Sequence, residues 1–233
     1  MRETEFVERT LVVFGRDLPY HLDTLIFSAI VSFVILGLCL WLKKGFGFHP
    51  TRRQVVLESL LEWFDEILRE SLGSRGRIFL AFTVTLFLFV LLSNWMGLIP
   101  GFLSPTRDIN VCLGLALLVF MIAHTNAIRT KGVKGYLKSY FKPYWWLFPS
   151  NVFAEVSKTL SHSFRLFGNI FAGGIVVALI PTIILKLLHY WGIPLVIVSN
   201  PILQGFFGIF VGGVQAFVFT ILAVAYVGVL AQE

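Results

Sequence analysis

Residues 150–188 read SNVFAEVSKTLSHSFRLFGNIFAGGIVVALIPTIILKLL, a run with only four formal charges: Glu155, Lys158, Arg165 and Lys186. It is far longer than the ~20 residues a helix needs to cross a bilayer core of ~30 Å. An over-long apolar helix accommodates by tilting, so steep tilt is expected here. Residues 201–231 form a second long run, with no charge at all. Between the two, residues 190–201 carry Gly192, Pro194 and Pro201, which predict a break.

Working outward, the rest of the chain has the same character. The protein has 233 residues, 57% hydrophobic and 14% charged, with a mean hydropathy of +0.82. An ordinary soluble domain is about 45–50% apolar and about 25% charged, so neither a soluble fold nor a disordered chain fits. The expected class is an all-α polytopic membrane protein of about five membrane-crossing helices plus one amphipathic helix. Residues 24–42, 78–100 and 109–128 are the first three spans, and 101–107 is a loop. In 51–72, Leu57, Leu60, Leu61, Phe64 and Leu68 alternate at helical period with Glu58, Glu62, Asp65, Glu66 and Arg69. That pattern predicts a helix lying along the membrane or against a partner rather than crossing. Residues 150–188 and 201–231 supply the last two crossings.

The excess of 19 Lys and Arg over 13 Asp and Glu flanks the apolar runs, where it sets orientation, and does not mark a nucleic-acid surface. Lys43, Lys44, Arg52, Arg53, Arg75 and Arg77 fall on one side, with the run Arg129, Lys131, Lys134, Lys138 and Lys142; Arg107 falls on the other. The positive-inside rule then puts the N-terminal segment 1–23 outside and the C-terminus in the cytoplasm. Residues 1–23 mix acids with arginines, unlike a secretory leader. Residues 143–149 are aromatic and proline-bounded, as in an interfacial belt. Cys39 and Cys112 each sit inside an apolar run and form neither a disulfide framework nor a metal motif.

Glu155, Lys158, His162, Arg165 and Asn169 are spaced i, i+3, i+7, i+10 and i+14. On a helix they fall within roughly 80° of one another, a polar stripe about 21 Å long. An ionised group at mid-membrane costs about 2.5–3.5 kcal/mol on insertion scales. Glu155 and Lys158 can be a plain ion pair near a helix end, and His162 a buried hydrogen-bonding histidine. Arg165 is harder to explain structurally: no acid follows Glu155 until the C-terminus, so it calls for a carboxylate from another subunit or a moving ion site. On the last helix Gln204 and Gln215 are eleven residues apart, within about 20° on a regular wheel, with Gly205, Gly208, Gly212 and Gly213 between them. Small residues allow close backbone approach. Gln215 needs a hydrogen-bond partner, for which Arg165 is the economical candidate. His162 and His189 lack metal-ligand spacing, and no nucleophile–base pair can be assigned.

Ser163-Phe164-Arg165-Leu166-Phe167-Gly168-Asn169, with Ala172-Gly173, resembles the signature of subunit a of F-type ATP synthases. Gln215-Ala216-Phe217-Val218-Phe219 through Ala225-Tyr226 is similar to that family's C-terminal helix. Pro105-Thr106-Arg107-Asp108-Ile109-Asn110 and Asn94-Trp95-Met96-Gly97-Leu98-Ile99-Pro100-Gly101 resemble its segments around the loop before the third span. The resemblance implies a non-catalytic, ion-translocating stator subunit in a bacterial inner membrane. It faces a ring of c subunits, contacts the peripheral-stalk subunit b, passes protons or sodium ions, and carries no cofactor and no nucleotide site. Arg165 is then the essential arginine and Gln215 its neighbour. Many members carry Glu nine positions after the arginine and an ionisable group seven before the glutamine; here these are Gly174 and Gly208. The expected pathway therefore uses Glu155 and His162 on the cytoplasmic half. A water-filled opposite half lies around Gly174, Gly208, His189 and Gln204, with Asn169 on the path. Gly168, Gly173, Gly174, Gly208 and Gly212 are expected to let the c ring pack closely. The competing reading is a stand-alone ion channel or secondary transporter with an intramembrane arginine site.

Overall fold

The computed structural model describes residues 8–13, 16–43, 52–99, 101–142 and 144–232. Residues 1–7, Lys44 of the basic flank, and Thr51, Pro100 and Pro143, which end expected segments, lie outside them. The described residues are helical apart from short connections and one N-terminal hairpin, which the sequence does not signal. Strands β1 (Glu8–Val13) and β2 (Arg16–His21) pair antiparallel, Glu8 opposite His21 through to Val13 opposite Arg16. The helices follow as α1 (Leu22–Lys43), α2 (Arg52–Leu72), α3 (Leu80–Met96), α4 (Ile109–Tyr140), α5 (Phe148–Leu188), α6 (Ile193–Gln204) and α7 (Gly212–Gln232).

Among the described residues, four stretches are long and apolar enough to cross a membrane: Leu22–Leu42, Gly76–Met96, Ile109–Tyr140 and Trp145–Ala231. The last of these turns back at His189–Gly192, where α5 ends and α6 begins, so it supplies two crossings. Much of the apolar surface faces outward, as lipid-facing helices require. On α1, Phe33, Val34, Leu36 and Leu40 are all at least half exposed.

The core is a seam of α3, α4, α5 and α7, built from Leu86 and Val90, Cys112 and Val119, Leu166, and Ala216, Phe219 and Ala223. Lipid tails are as apolar as leucine, so burial alone does not bring membrane helices together; small residues do, by letting backbones approach. Ala116, Ala123 and Ala127 of α4 and Ala216 and Ala223 of α7 are accordingly buried. The amphipathic α2 finds its partner within the chain. Phe64 and Leu68 are fully buried, Phe64 packs on Phe87 of α3 at 5.2 Å, and Trp63 stacks on Phe217 of α7 at 5.2 Å between ring centroids.

Three boundaries differ from the sequence expectation. The third span does not stop at residue 128: α4 runs on to Tyr140, bent at Gly132, whose φ of 73° suits a residue without a side chain. The basic segment 129–149 is thus helical in its first part. The break over 190–201 is confined to residues 189–192. Pro194 enters the first turn of α6, where its missing N–H costs nothing, and Pro201 is carried inside that helix. Nor is 201–231 one regular helix. Gly205–Val211 is a π-helical turn between α6 and α7, so the 20° offset reckoned for Gln204 and Gln215, which assumes 100° per residue throughout, does not apply across it.

At Gly228, α7 lies close against the end of α2. A methyl group there would come within 2.9 Å of the Ser71 backbone carbonyl oxygen. Gly228→Ala is expected to destabilise the subunit by about 1–3 kcal/mol through overpacking, read as a lower detergent-denaturation midpoint of the assembled complex.

Candidate functional site

α5 carries the polar stripe, and its neighbours on α4 and α7 decide what each member can do. Glu155 is buried, and both of its carboxylate oxygens are engaged. Lys158 Nζ donates to Oε1 at 2.7 Å and Tyr226 Oη donates to Oε2 at 2.5 Å. His162 lies against Phe219 of α7, ring centroids 4.0 Å apart, and its buried Nε2 has no hydrogen-bond partner among the described residues. Arg165 is on the exposed face of α5, and among the described residues it makes no ion pair. The carboxylate of its own helix is already committed elsewhere.

Gln215 is 4% exposed, and its partner is not Arg165, as the sequence suggested, but Asn169, whose Nδ2 donates to Gln215 Oε1 at 2.5 Å. Asn169 lies one turn beyond Arg165 on α5, so the amide rather than the guanidinium meets α7 at that level. The Gln215 Nε2 is buried without a hydrogen-bond partner among the described residues.

A second set of hydrogen bonds grips the π-helical turn. Asn94 Nδ2 donates to the Gly212 carbonyl at 2.8 Å, and Trp95 Nε1 to that of Ile209 at 3.3 Å. Asn94 is itself held by Thr106 Oγ1, which donates to its Oδ1 at 2.7 Å. Ser104 Oγ reaches the Ser93 carbonyl at 2.7 Å. The loop before α4, the end of α3 and the start of α7 are thereby tied together three residues from Gln215.

Two cavities approach this region from opposite directions along α5. One, of about 520 Å³, is lined by Lys158, His162 and Arg165 with Ala116, Val119, Leu222 and Tyr226. The other, of about 180 Å³, is lined by Asn169, Gly173, Gly174 and Val177 with Asn94, Arg107, Gln204 and Gly208. They share no lining residue; Leu166, Phe167 and Gly168 separate them on the helix. A third cavity of about 460 Å³ lies on the far side of Glu155 and Lys158, toward the basic end.

Several expected site residues are placed differently. His189 does not line the second cavity: it caps α5 at φ 50°, twelve residues or about 18 Å along the helix past Val177. Gln204 is on that cavity, is exposed, and bonds to Asn200 Oδ1 at 3.4 Å. Gly173, Gly208 and Gly212 are turned into the subunit rather than toward a partner. A methyl group at Gly173 would meet Phe207 at 3.3 Å, one at Gly208 would overlap Leu98, and one at Gly212 would meet Asn94 at 3.2 Å, whereas Gly168 and Gly174 have open space. Tyr226 was not singled out as a partner of Glu155, nor was the neighbouring group of His124, Tyr136 and Tyr140. His124 Nε2 lies 3.1 Å from Tyr140 Oη, and Tyr140 Oη lies 2.8 Å from Tyr136 Oη. The interval was there to be read: Tyr226 follows Gln215 by eleven residues, three helical turns on the same face.

Replacing Asn169 with leucine leaves the Gln215 amide buried and unpaired, which costs about 1–3 kcal/mol, whereas replacing Gln215 leaves the exposed Asn169 to solvent at a smaller cost. Replacing both should cost less than the sum. A double-mutant cycle on denaturation midpoints of the complex is expected to return a coupling of about 0.5–3 kcal/mol, and strict additivity would contradict the bond.

The sequence model of the ATP synthase A chain family matches residues 25–228. Among similar proteins, ATP synthase subunit a of Limosilactobacillus fermentum is 36% identical over 230 residues, 94% of each chain. That of Acidothermus cellulolyticus is 35% identical over 219 residues, 90% of this chain and 76% of the relative. That of Moorella thermoacetica is 35% identical over 205 residues, 88% of each. With its membrane helices, its arginine stripe and a match running through nearly all of the described spans, the chain belongs to the ATP synthase A chain family.

Proposed function

We propose that Arg165 is the barrier between two offset half-channels through which this subunit passes ions to and from a rotating ring of c subunits. As a member of its family the chain is the ion-translocating stator subunit of the membrane sector, an integral membrane protein that works within a complex. What supports the finer reading above all is the pair of cavities that reach Arg165 and Asn169 from opposite ends of α5 without sharing a residue.

The exposed side of α5 sets Arg165 among the small exposed residues Ala154, Ser161 and Ala172, beside a separate apolar stripe of Phe153, Val156, Leu160 and Phe164. Such a face suits a ring whose members each bring a carboxylate past the arginine. A positive charge nearby lowers that carboxylate's pKa, so its ion is released as it arrives. The guanidinium stays charged throughout, so an ion cannot cross directly and must travel with the ring. The driving force is about 2.3 kcal/mol per charge per 100 mV.

On the basic side, which the positive-inside rule assigns to the cytoplasm, the path runs from Arg165 past His162 to Glu155, with Tyr226 and Lys158 holding that carboxylate in place. On the opposite side, Gly174 leaves room for water, Gly208 packs against Leu98, and Asn169 and Gln204 line the wall. The outer face of α2, with Glu62, Glu66 and Glu70 exposed, is the surface available to subunit b. The setting is a bacterial inner membrane, with the N-terminal segment outside.

The test is ion-driven ATP synthesis by the whole complex in vesicles. Arg165→Ala should abolish synthesis, and a sodium requirement in the wild type would name the ion. Unchanged synthesis in the variant would overturn the assignment. Glu155→Ala should slow coupled flux about tenfold, the order of one lost charge-assisted hydrogen bond, without uncoupling it; full activity would remove Glu155 from the path.

A further inference from the structure

The last part of α4 has no role in the assignment above. Gly132, with its φ of 73°, divides that helix, and residues 133–140 form a short helical segment beyond it. Two residues sixteen apart on a straight helix stand about 24 Å from each other. Yet His124 Nε2 lies 3.1 Å from Tyr140 Oη, so the segment turns sharply aside at Gly132 instead of prolonging α4. The turn is fastened from within. His124 Nδ1 donates to the Phe120 carbonyl at 2.9 Å, which leaves Nε2 to accept from Tyr140, and Tyr140 Oη is 2.8 Å from Tyr136 Oη. Tyr136 also packs against the cluster of Ala123, Ala127, Val227 and Leu230.

Once the tyrosine row is held inward, the other rows are set. At 100° per residue, Val133 and Leu137 lie about 60° round the segment from Tyr136 and Tyr140, and Lys134 and Lys138 about 100° further on. Val133 and Leu137 are 61% and 53% exposed. Lys134 and Lys138 are exposed and make no ion pair among the described residues. The chain has no acid between Asp108 and Glu155, so nothing along this stretch offsets their charge. The apolar row leads on into exposed Phe141, Tyr144, Trp145 and Trp146, rings of the kind that settle at headgroup level.

An apolar row flanked by lysines is the pattern of a helix lying in the plane of a membrane surface. Its apolar side chains enter the acyl boundary while the ammonium groups reach the headgroups. A protein partner would have to supply acids for the lysines and an apolar groove for the row beside them. A bilayer containing anionic lipid offers both along its whole surface.

We propose that residues 133–141 are an interfacial anchor that binds the anionic surface of the membrane. Lys134 and Lys138 meet phosphate headgroups, and Val133, Leu137 and Phe141 enter the acyl boundary. Lys134 and Lys138 line none of the three cavities described above. Arg165→Ala, which tests the ion path, should therefore leave the anchor unchanged.

The test uses the assembled complex in phosphatidylcholine nanodiscs doped with a photoactivatable phosphatidylglycerol analogue or its matched phosphatidylcholine analogue, and maps the labelled peptides. Residues 133–141 are expected to label preferentially with the anionic analogue. The preference should fall about fivefold in Lys134→Gln and again in Lys134→Gln/Lys138→Gln, the effect of roughly 1 kcal/mol per cation near a membrane surface. Lys134→Arg/Lys138→Arg should retain it, and 1 M salt, which screens charges within about 3 Å, should weaken it. Leu137→Ser should lower labelling by both lipids alike. Equal labelling of the wild type by both lipids, an unchanged preference in the double glutamine variant, or crosslinking of residues 133–141 to another subunit in place of lipid would each overturn the proposal.

Discussion

A carboxylate can neutralise only so many neighbours, and in this subunit the one acid of the arginine helix is fully engaged. Glu155 accepts from Lys158 on its own helix and from Tyr226 on α7. That leaves Arg165 facing outward with no ion pair among the described residues, in surroundings where an isolated charge is expensive. Most of the arrangement is arranged around that imbalance. The α4–α5–α7 seam holds Glu155 in place, the Asn169–Gln215 bond fixes α5 against α7 one turn beyond the arginine, and the small-residue face beside Arg165 is left uncovered within the chain.

The positioning apparatus is spread over distant parts of the sequence. Asn94 and Trp95, near the end of α3, hold carbonyls more than a hundred residues away, at Gly212 and Ile209. The loop hydroxyls of Ser104 and Thr106 in turn hold α3. In a bilayer these bonds matter more than apolar burial for choosing one packing over another, because sliding helices past each other in lipid changes little apolar area but strands every polar group.

Much of this was legible in the residues. Apolar run lengths give the crossings because a bilayer fixes a minimum helix length. The i, i+3, i+7 spacing gives the polar stripe because a helix has a fixed period, and the Arg-Leu-Phe-Gly-Asn string gives the family. What could not be read depends on which helix faces which. The wheel aligns Glu155 with Arg165, but the choice of Lys158 and Tyr226 as its partners depends on α7 lying alongside. The glycines signal close approach without naming a partner, so Gly173, Gly208 and Gly212 turn out to accommodate Phe207, Leu98 and Asn94 of the same chain. His189 looks like a membrane histidine from its neighbours, yet it stands where α5 stops.

The π-helical turn at Gly205–Val211 bears on how this chain is lined up with its relatives. A wide turn accommodates within a helix what a regular α-helix would treat as a surplus residue, so counting positions along the sequence no longer measures rotation about the axis. Gly208, counted back seven places from Gln215, lies inside that turn. Its counterpart in three dimensions is therefore set by the bonds from Asn94 and Trp95 that hold the turn, and two members of the family can carry their ionisable side chain at different sequence offsets yet present it to the same wall of the cavity. Shortening the segment by one residue would restore a regular helix while leaving α6, with Gln204, at about the same rotation relative to α7.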